Sequence, residues 1–249
     1  METPPQGTIR DWLDHQAATQ GETEAFVFFD GQPAFRWDEL HTQARRIAGH
    51  LTALGITKSE SVAMLLPNGR ESISCLFGVL YGGFRATVIN LVAGDDAIGY
   101  ALEHCDARFA IVGANQLEQF EKVKPAHISE ITPEDIPSQH PDVQFFDLQA
   151  DNQALLMYTS GTTGRPKGVV HTHASLLAGG WTTAVAHALE PHDRGLCVLP
   201  LYHINGLCVT IMGTLVSGGS LAIAPKFSVG QFWKQCAQAA VTWYSVVPT

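Results

Sequence analysis

Short, uninterrupted apolar runs alternate along this chain with segments of helical period, and that alternation restricts the fold more than any other feature. Ser61-Val62-Ala63-Met64-Leu65-Leu66 ends at Pro67-Asn68, and the next segment carries Ile73, Leu76, Phe77 and Leu80 at i, i+3, i+4, i+7 before Gly82-Gly83. Ala86-Thr87-Val88-Ile89 follows, then a helix opened by Asp95 or Asp96 and running to about Cys105, then Phe109-Ala110-Ile111-Val112. A run that is apolar at every position suits a strand covered on both faces, and strands alternating with helices of this length form crossover units. The chain is therefore expected to be α/β, with parallel sheets flanked by helices.

Either side of this series the pattern varies. Phe26-Val27-Phe28-Phe29 and Ala34-Phe35-Arg36-Trp37 read as a hairpin with Asp30-Gly31 near its turn, and Pro33 confines the pairing to an edge. Asp38 reads as the N-cap of a helix with Leu40, Ala44, Ile47, Ala48, Leu51 and Leu54 on one face and Gly55 as its stop. Residues from about Lys124 to Pro141 are polar and without period, so they are expected to be a surface excursion. A helix is expected over Ala174 to Leu189, then a strand from Gly195 to Leu199 meeting Pro200, and a helix from about Leu207. The strand Leu221 to Ala224, a helix bearing Val229, Phe232, Trp233, Cys236 and Ala240, and a strand from Thr242 to Val247 complete a second series. A buried parallel strand is normally followed by its crossover, so the expectation is that the chain stops inside a sheet.

Composition narrows the function. Net charge is −9 with 15 Lys+Arg in 249 residues, which argues against a nucleic-acid partner, because such surfaces need clustered cations. The five cysteines lack C-x-x-C spacing and sit mostly in apolar runs, as reduced core residues of a cytoplasmic protein would. The start has no basic and apolar leader pattern. Gly206 to Ala224 is uncharged and of bilayer length, but Ser217-Gly218-Gly219-Ser220 divides it into a short helix and a short strand, so no transmembrane segment is expected.

The chemistry is concentrated in Tyr158-Thr159-Ser160-Gly161-Thr162-Thr163-Gly164-Arg165-Pro166-Lys167-Gly168-Val169. Glycines let backbone N–H groups approach a ligand, the four hydroxyls add donors and Lys167 supplies a point charge, so the stretch reads as a phosphate cradle. Ala154 to Tyr158 leads in and Gly168 to Val170 leads out, which should hang the loop between two buried strands. The nucleotide-binding pattern G-x-x-x-x-G-K-[ST] fails, because Pro166 precedes Lys167 and Gly168 follows it. His171 and His173 form an H-x-H pair without an identifiable third metal ligand; the alternative is a strand-to-helix junction. No G-x-S-x-G elbow is present, which leaves Ser160 as a phosphate donor and not a nucleophile.

Residues 158–169 resemble the signature loop of the adenylate-forming superfamily, which includes acyl-CoA synthetases, firefly luciferase and peptide-synthetase adenylation domains. Leu199-Pro200-Leu201-Tyr202-His203-Ile204-Asn205-Gly206-Leu207 is similar to the segment bordering the acyl pocket in the acyl-CoA synthetase branch. Trp37-Asp38-Glu39-Leu40, Gly55-Ile56, Asn90 and the stretch from Trp243 to Thr249 also fall where the family has similar residues; Thr87-Val88-Ile89-Asn90-Leu91 departs by lacking the usual prolines.

The resemblance implies a truncated N-terminal AMP-binding domain over 1–249, with 8–58 and 189–249 in one α/β subdomain, left incomplete, and 59–188 in the other, ending with the phosphate loop. It implies ATP-dependent activation of a small-molecule carboxylate to an acyl-adenylate, then thioester formation with coenzyme A. Thr159, Ser160, Gly161, Thr162, Thr163, Gly164 and Lys167 would hold the β- and γ-phosphates, Mg2+ would neutralise the remaining charge, and His203 would line the route between acyl and CoA sites. The metal-binding Glu, the ribose-binding Asp and the C-terminal catalytic Lys of the family have no counterpart in 1–249, so this stretch alone is expected to be inactive and to need its C-terminal part. The alternatives are an enzyme that loads a carrier protein and a non-catalytic nucleotide-binding fragment. An oligomer is compatible with all three.

Overall fold

The computed structural model describes residues 3–139, 143–159 and 166–247. In chain order these form α1 (Ile9–Gln20), β1 (Glu24–Phe28), β2 (Phe35–Arg36), α2 (Trp37–Ala53), β3 (Ser61–Leu65), α3 (Arg70–Gly82), β4 (Arg85–Val88), α4 (Asp95–His104), β5 (Phe109–Val112), α5 (Leu117–Val123) and β6 (Ser129–Ile131). They continue through β7 (Gln153–Thr159), β8 (Lys167–Thr172), α6 (His173–Ala186), β9 (Arg194–Cys197), a π-helix (Asn205–Met212), α7 (Gly213–Ser217), β10 (Ser220–Ile223), α8 (Val229–Gln238) and β11 (Trp243–Ser245).

The chain divides into two compact units. The first comprises Met1–Thr42, Asn68–Arg70 and His173–Thr249, and the second Gln43–Pro67 and Glu71–Thr172. The helix at 173–186, which the family resemblance would group with 59–188, clusters with the first unit, where it packs on the π-helix and α7. The second half of α2 belongs to the second unit, where Ile47 lies against Gly78 of α3.

In the first unit the strands run β11-β9-β10-β1-β2, all parallel except the antiparallel edge pair β1–β2. In the second the order is β6-β5-β3-β4-β7-β8, parallel except for the edge pair β7–β8. The fold is α/β as expected, but each sheet is mixed, because a hairpin at one edge supplies an antiparallel strand. Two apolar clusters hold the sheets: Ala63, Leu65, Leu102, Ala110 and Phe120 in the second unit, and Leu196, Val198, Ala222 and Phe232 in the first. All five residues of β3 are buried, as an uninterrupted apolar run in a central strand requires.

Several local expectations are corrected. Asp38 is not the cap of α2 but lies in its first turn, because the Trp37 and Asp38 N–H groups are already taken by the Thr23 and Gly21 carbonyls at 3.1 and 3.0 Å. Leu54 falls past the helix end and is exposed. The polar excursion contains an edge strand, β6, parallel to β5; it escapes the period test because three residues with only Ile131 buried give too short a pattern. On α8 only Phe232 is buried, while Val229 and Trp233 are exposed. Of the strands flanking the signature loop, β7 is buried but β8 is not: Lys167 through Val170 are exposed, since β8 is the sheet edge.

After α6, Ala188 sits at φ +50°, a left-handed conformation that costs a residue with a Cβ about 1–2 kcal/mol. Ala188→Gly is expected to stabilise the chain by about 0.5–1 kcal/mol, the relief being partly offset by the entropy of the unfolded glycine. An unchanged or lower urea midpoint would count against this account of the turn.

Candidate functional site

Thr159 and Lys167 are opposite partners in the β7–β8 ladder, at the mouth of the hairpin whose connection carries the signature residues. The Thr159 hydroxyl reaches the Lys167 carbonyl at 3.5 Å, and both residues are exposed. Lys167 has no carboxylate within ion-pair distance among the described residues, whereas Lys122 and Lys124 are each paired with acids. A lysine with no acid partner among the described residues, opposite an exposed threonine in the ladder, is available to an anion. Ser160, Gly161, Thr162, Thr163 and Gly164 lie outside the described residues.

The hairpin tip projects beyond the strand next to it. Pairing of β7 with β4 is confined to Leu155 and Leu156, while β7 stays paired with β8 as far as Thr159. Tyr158, half-buried, donates its hydroxyl to the Ala101 carbonyl at 3.2 Å and lies 3.0 Å from His104 Nδ1, both on α4. Burial raises the Tyr158 pKa, so the phenol stays protonated and able to donate.

His203 is in the first unit, on the turn after β9, and is exposed. The turn is built from backbone: the His203 N–H donates to the Pro200 carbonyl at 3.0 Å, and the His203 carbonyl accepts from the Leu207 N–H at 3.1 Å. Gly206 fits only without a side chain, since a Cβ would stand 2.5 Å from the Pro200 oxygen. The helix expected from Leu207 begins at Asn205 as an eight-residue π-helix, an irregularity frequent at functional sites.

One residue that ties this turn down, from the segment after β3, was not singled out from the sequence. Asn68 Nδ2 donates to the Leu199 and Ala224 carbonyls at 2.9 and 3.3 Å, and Asn68 Oδ1 accepts from the Leu201 N–H at 3.1 Å. The only local signal is an asparagine after the proline that ends β3, which reads equally well as a turn residue. Asn68→Asp exchanges the donating amide for an acceptor facing two carbonyls, so a loss of about 2 kcal/mol is expected. Urea denaturation of the variant measures it, and a midpoint equal to wild type would remove Asn68 as the tie.

The H-x-H pair falls at a strand-to-helix junction, with His171 in β8 and His173 opening α6. No group of three or more His, Cys, Asp or Glu able to hold a metal occurs among the described residues. All five cysteines are free and four are buried; burial pushes the Cys75 thiol up to about 12 and those of Cys105, Cys197 and Cys208 to about 11, which makes them inert packing groups. No helix among the described residues is long and apolar enough to cross a membrane.

The sequence profile of the family described as AMP-binding enzyme matches residues 13–249, and the chain belongs to that family. Sulfoacetate–CoA ligase of Cupriavidus necator is 36% identical over 231 residues, covering 88% of this chain and 45% of the relative. Long-chain-fatty-acid–CoA ligase FadD13 of Mycobacterium tuberculosis is 28% identical over 248 residues, covering 95% of this chain and 49% of the relative. Among solved structures, the inhibitor-bound N-terminal domain of FACL13 from Mycobacterium tuberculosis superposes with a TM-score of 0.87 at 27% identity, over 97% of this chain and 63% of that one. The chain spans about half the length of the curated relatives it matches.

Proposed function

We propose that this chain supplies the polyphosphate-binding part of an AMP-forming acyl-CoA ligase. Such an acid–thiol ligase joins a carboxylic acid to ATP, releases pyrophosphate, and passes the acyl group to the thiol of coenzyme A. The observation that carries this reading is Lys167, without an acid partner among the described residues, opposite Thr159 at the mouth of the β7–β8 hairpin. The CoA ligases among its relatives support it.

In this reading the hydroxyls and N–H groups of Thr159, Ser160, Gly161, Thr162, Thr163 and Gly164 hold the leaving phosphates, and Lys167 offsets their charge. Magnesium entering with ATP would supply further charge neutralisation at the phosphates. The carboxylate oxygen attacks the α-phosphorus, the bond to the β-phosphate bridging oxygen breaks, and pyrophosphate leaves with the electron pair. The chain's own contribution is orientation and electrostatics. His203, on its exposed turn, lines the route between acyl and CoA sites. The reduced cysteines fit a reducing compartment such as the cytoplasm.

The test is ATP–pyrophosphate exchange with a panel of small and fatty carboxylic acids, on protein expressed from its complete reading frame. Carboxylate-dependent exchange together with a CoA thioester is the expected result. Exchange without a CoA thioester, but with loading of a carrier protein, would select the carrier-loading alternative; no exchange with any acid would overturn the assignment.

A further inference from the structure

Beyond the last β4 contact at Leu156 and the buried Met157, the tip of the hairpin that carries the signature loop is hydrogen-bonded to α4 through one side chain. Among the described residues of its tip, 158–159 and 166–168, the side-chain hydrogen bonds that leave the hairpin are those of the Tyr158 hydroxyl. A phenol has one proton. With that proton given to the Ala101 carbonyl, its oxygen accepts from His104, which fixes the hydrogen of His104 on Nδ1. Tyr100 stacks on His104, its ring 5.5 Å away at an interplanar angle of 26°.

The same phenol ring covers the opposite strand. Gly168 is the ladder partner of Tyr158, and a Cβ there would stand 3.6 Å from Tyr158 Cε1, 3.7 Å from His104 Cε1 and only 2.9 Å from Leu156 Cδ1. Tyr158 thus holds its own strand one residue before Thr159 and lies over the glycine one residue after Lys167. Both stems of the loop are referred to α4 through one residue, β7 by its hydroxyl and β8 by its ring.

We propose that Tyr158 and His104 form a positioning clamp that fixes the two stems of the polyphosphate loop relative to α4, so that the Thr159 hydroxyl and the Lys167 ammonium are held ready for the phosphates. The clamp touches no substrate. It rests on the reading of 159–167 as a phosphate site, and it acts by removing freedom from an exposed hairpin tip before the nucleotide arrives.

The experiment compares ATP–Mg2+ affinity, by calorimetry, with backbone hydrogen exchange in wild type, Tyr158→Phe, His104→Leu, His104→Asn and Lys167→Ala. Loss of one such tether is expected to weaken ATP–Mg2+ binding about tenfold in Tyr158→Phe and in His104→Leu, with little change in the unfolding midpoint. The amide of His104→Asn places a donor where Nδ1 stood, so that variant should bind within about threefold of wild type. The double variant Tyr158→Phe/His104→Leu should be no weaker than Tyr158→Phe, which already removes the bond to His104 together with the one to the Ala101 carbonyl. Amide exchange at 157–159 and 167–169 should accelerate in Tyr158→Phe and His104→Leu but not in Lys167→Ala. Lys167→Ala should lose affinity with unaltered exchange, which separates the charge from the clamp. Unchanged affinity in Tyr158→Phe while Lys167→Ala weakens binding would overturn the clamp and leave the phosphate site standing. If wild type binds no ATP–Mg2+, the phosphate reading falls; unchanged exchange in Tyr158→Phe would then overturn the tether as well.

Discussion

Lys167→Ala is expected to lower carboxylate-dependent ATP–pyrophosphate exchange about 100- to 1,000-fold, while transfer of the acyl group from preformed acyl-adenylate to coenzyme A changes by less than about tenfold. The asymmetry follows from where charge develops. In the first half-reaction negative charge moves onto the leaving pyrophosphate, and a fixed cation beside it stabilises the transition state more than the ground state. In the second half-reaction the leaving group is AMP, and that pyrophosphate has already gone. Lys167 is exposed and unpaired with any carboxylate among the described residues, so its removal leaves no orphaned acid and should hardly alter stability. Measurement requires both half-reactions on the same preparations of the protein from its complete reading frame. Equal losses in the two would mean that Lys167 acts through folding or general binding, and would end its assignment to the leaving phosphates.

What the sequence made legible, and what it hid, follows from how each residue is covered. Strands β3, β4 and β5 were readable because parallel central strands need apolar residues at nearly every position, and the runs of β3 and β5 are closed by Pro67 and Gly113. The helix of Leu40 to Leu51 was readable from its period, whereas its start was not, because backbone carbonyls at 21 and 23 satisfied the first N–H groups instead of a side chain. Edge positions misled in both directions. Val169 and Val170 look like core yet are exposed in β8, and Ile131 belongs to a strand inside a polar segment. The hairpin mouth was legible as a glycine-hydroxyl-lysine pattern between two apolar runs. Its ties to the body were not: Tyr158 reaches His104 across 54 positions and Asn68 reaches Leu199 across 131, and no local pattern records such distances.

The second large effect concerns pH, and its source is His173. This residue opens α6, is fully buried, and accepts the Ile9 N–H on Nδ1 at 3.3 Å, so it holds the N-terminus of α1 as a neutral ring. Its Nε2 is buried without a hydrogen-bond partner among the described residues. Burial first, and then the neighbouring Arg10, push its pKa down from 6.5 to about 4, against the opposing pull of Asp11. Protonation would turn the Nδ1 acceptor into a donor aimed at the Ile9 N–H.

Between these two pKa values the unfolded chain binds a proton that the folded chain refuses. The contribution is therefore complete above pH 6.5 and is lost as pH falls towards 4, amounting to about 3 kcal/mol over the whole window. Glu60, Asp135 and Asp193 have lowered carboxyl pKa values, so their contributions persist through this window and fail only below the ordinary carboxylate range. His50 and His171, also lowered by burial, act in the same direction as His173. They are common to both proteins in the comparison that isolates it. His173→Asn keeps an acceptor for the Ile9 N–H and cannot titrate. Urea denaturation at pH 7 and pH 4.5 should show wild type losing about 2–3 kcal/mol more than the variant across that interval. Parallel pH profiles for the two proteins would mean that the imidazole is solvated or already charged in the native state, and His173 would then have no part in holding α1.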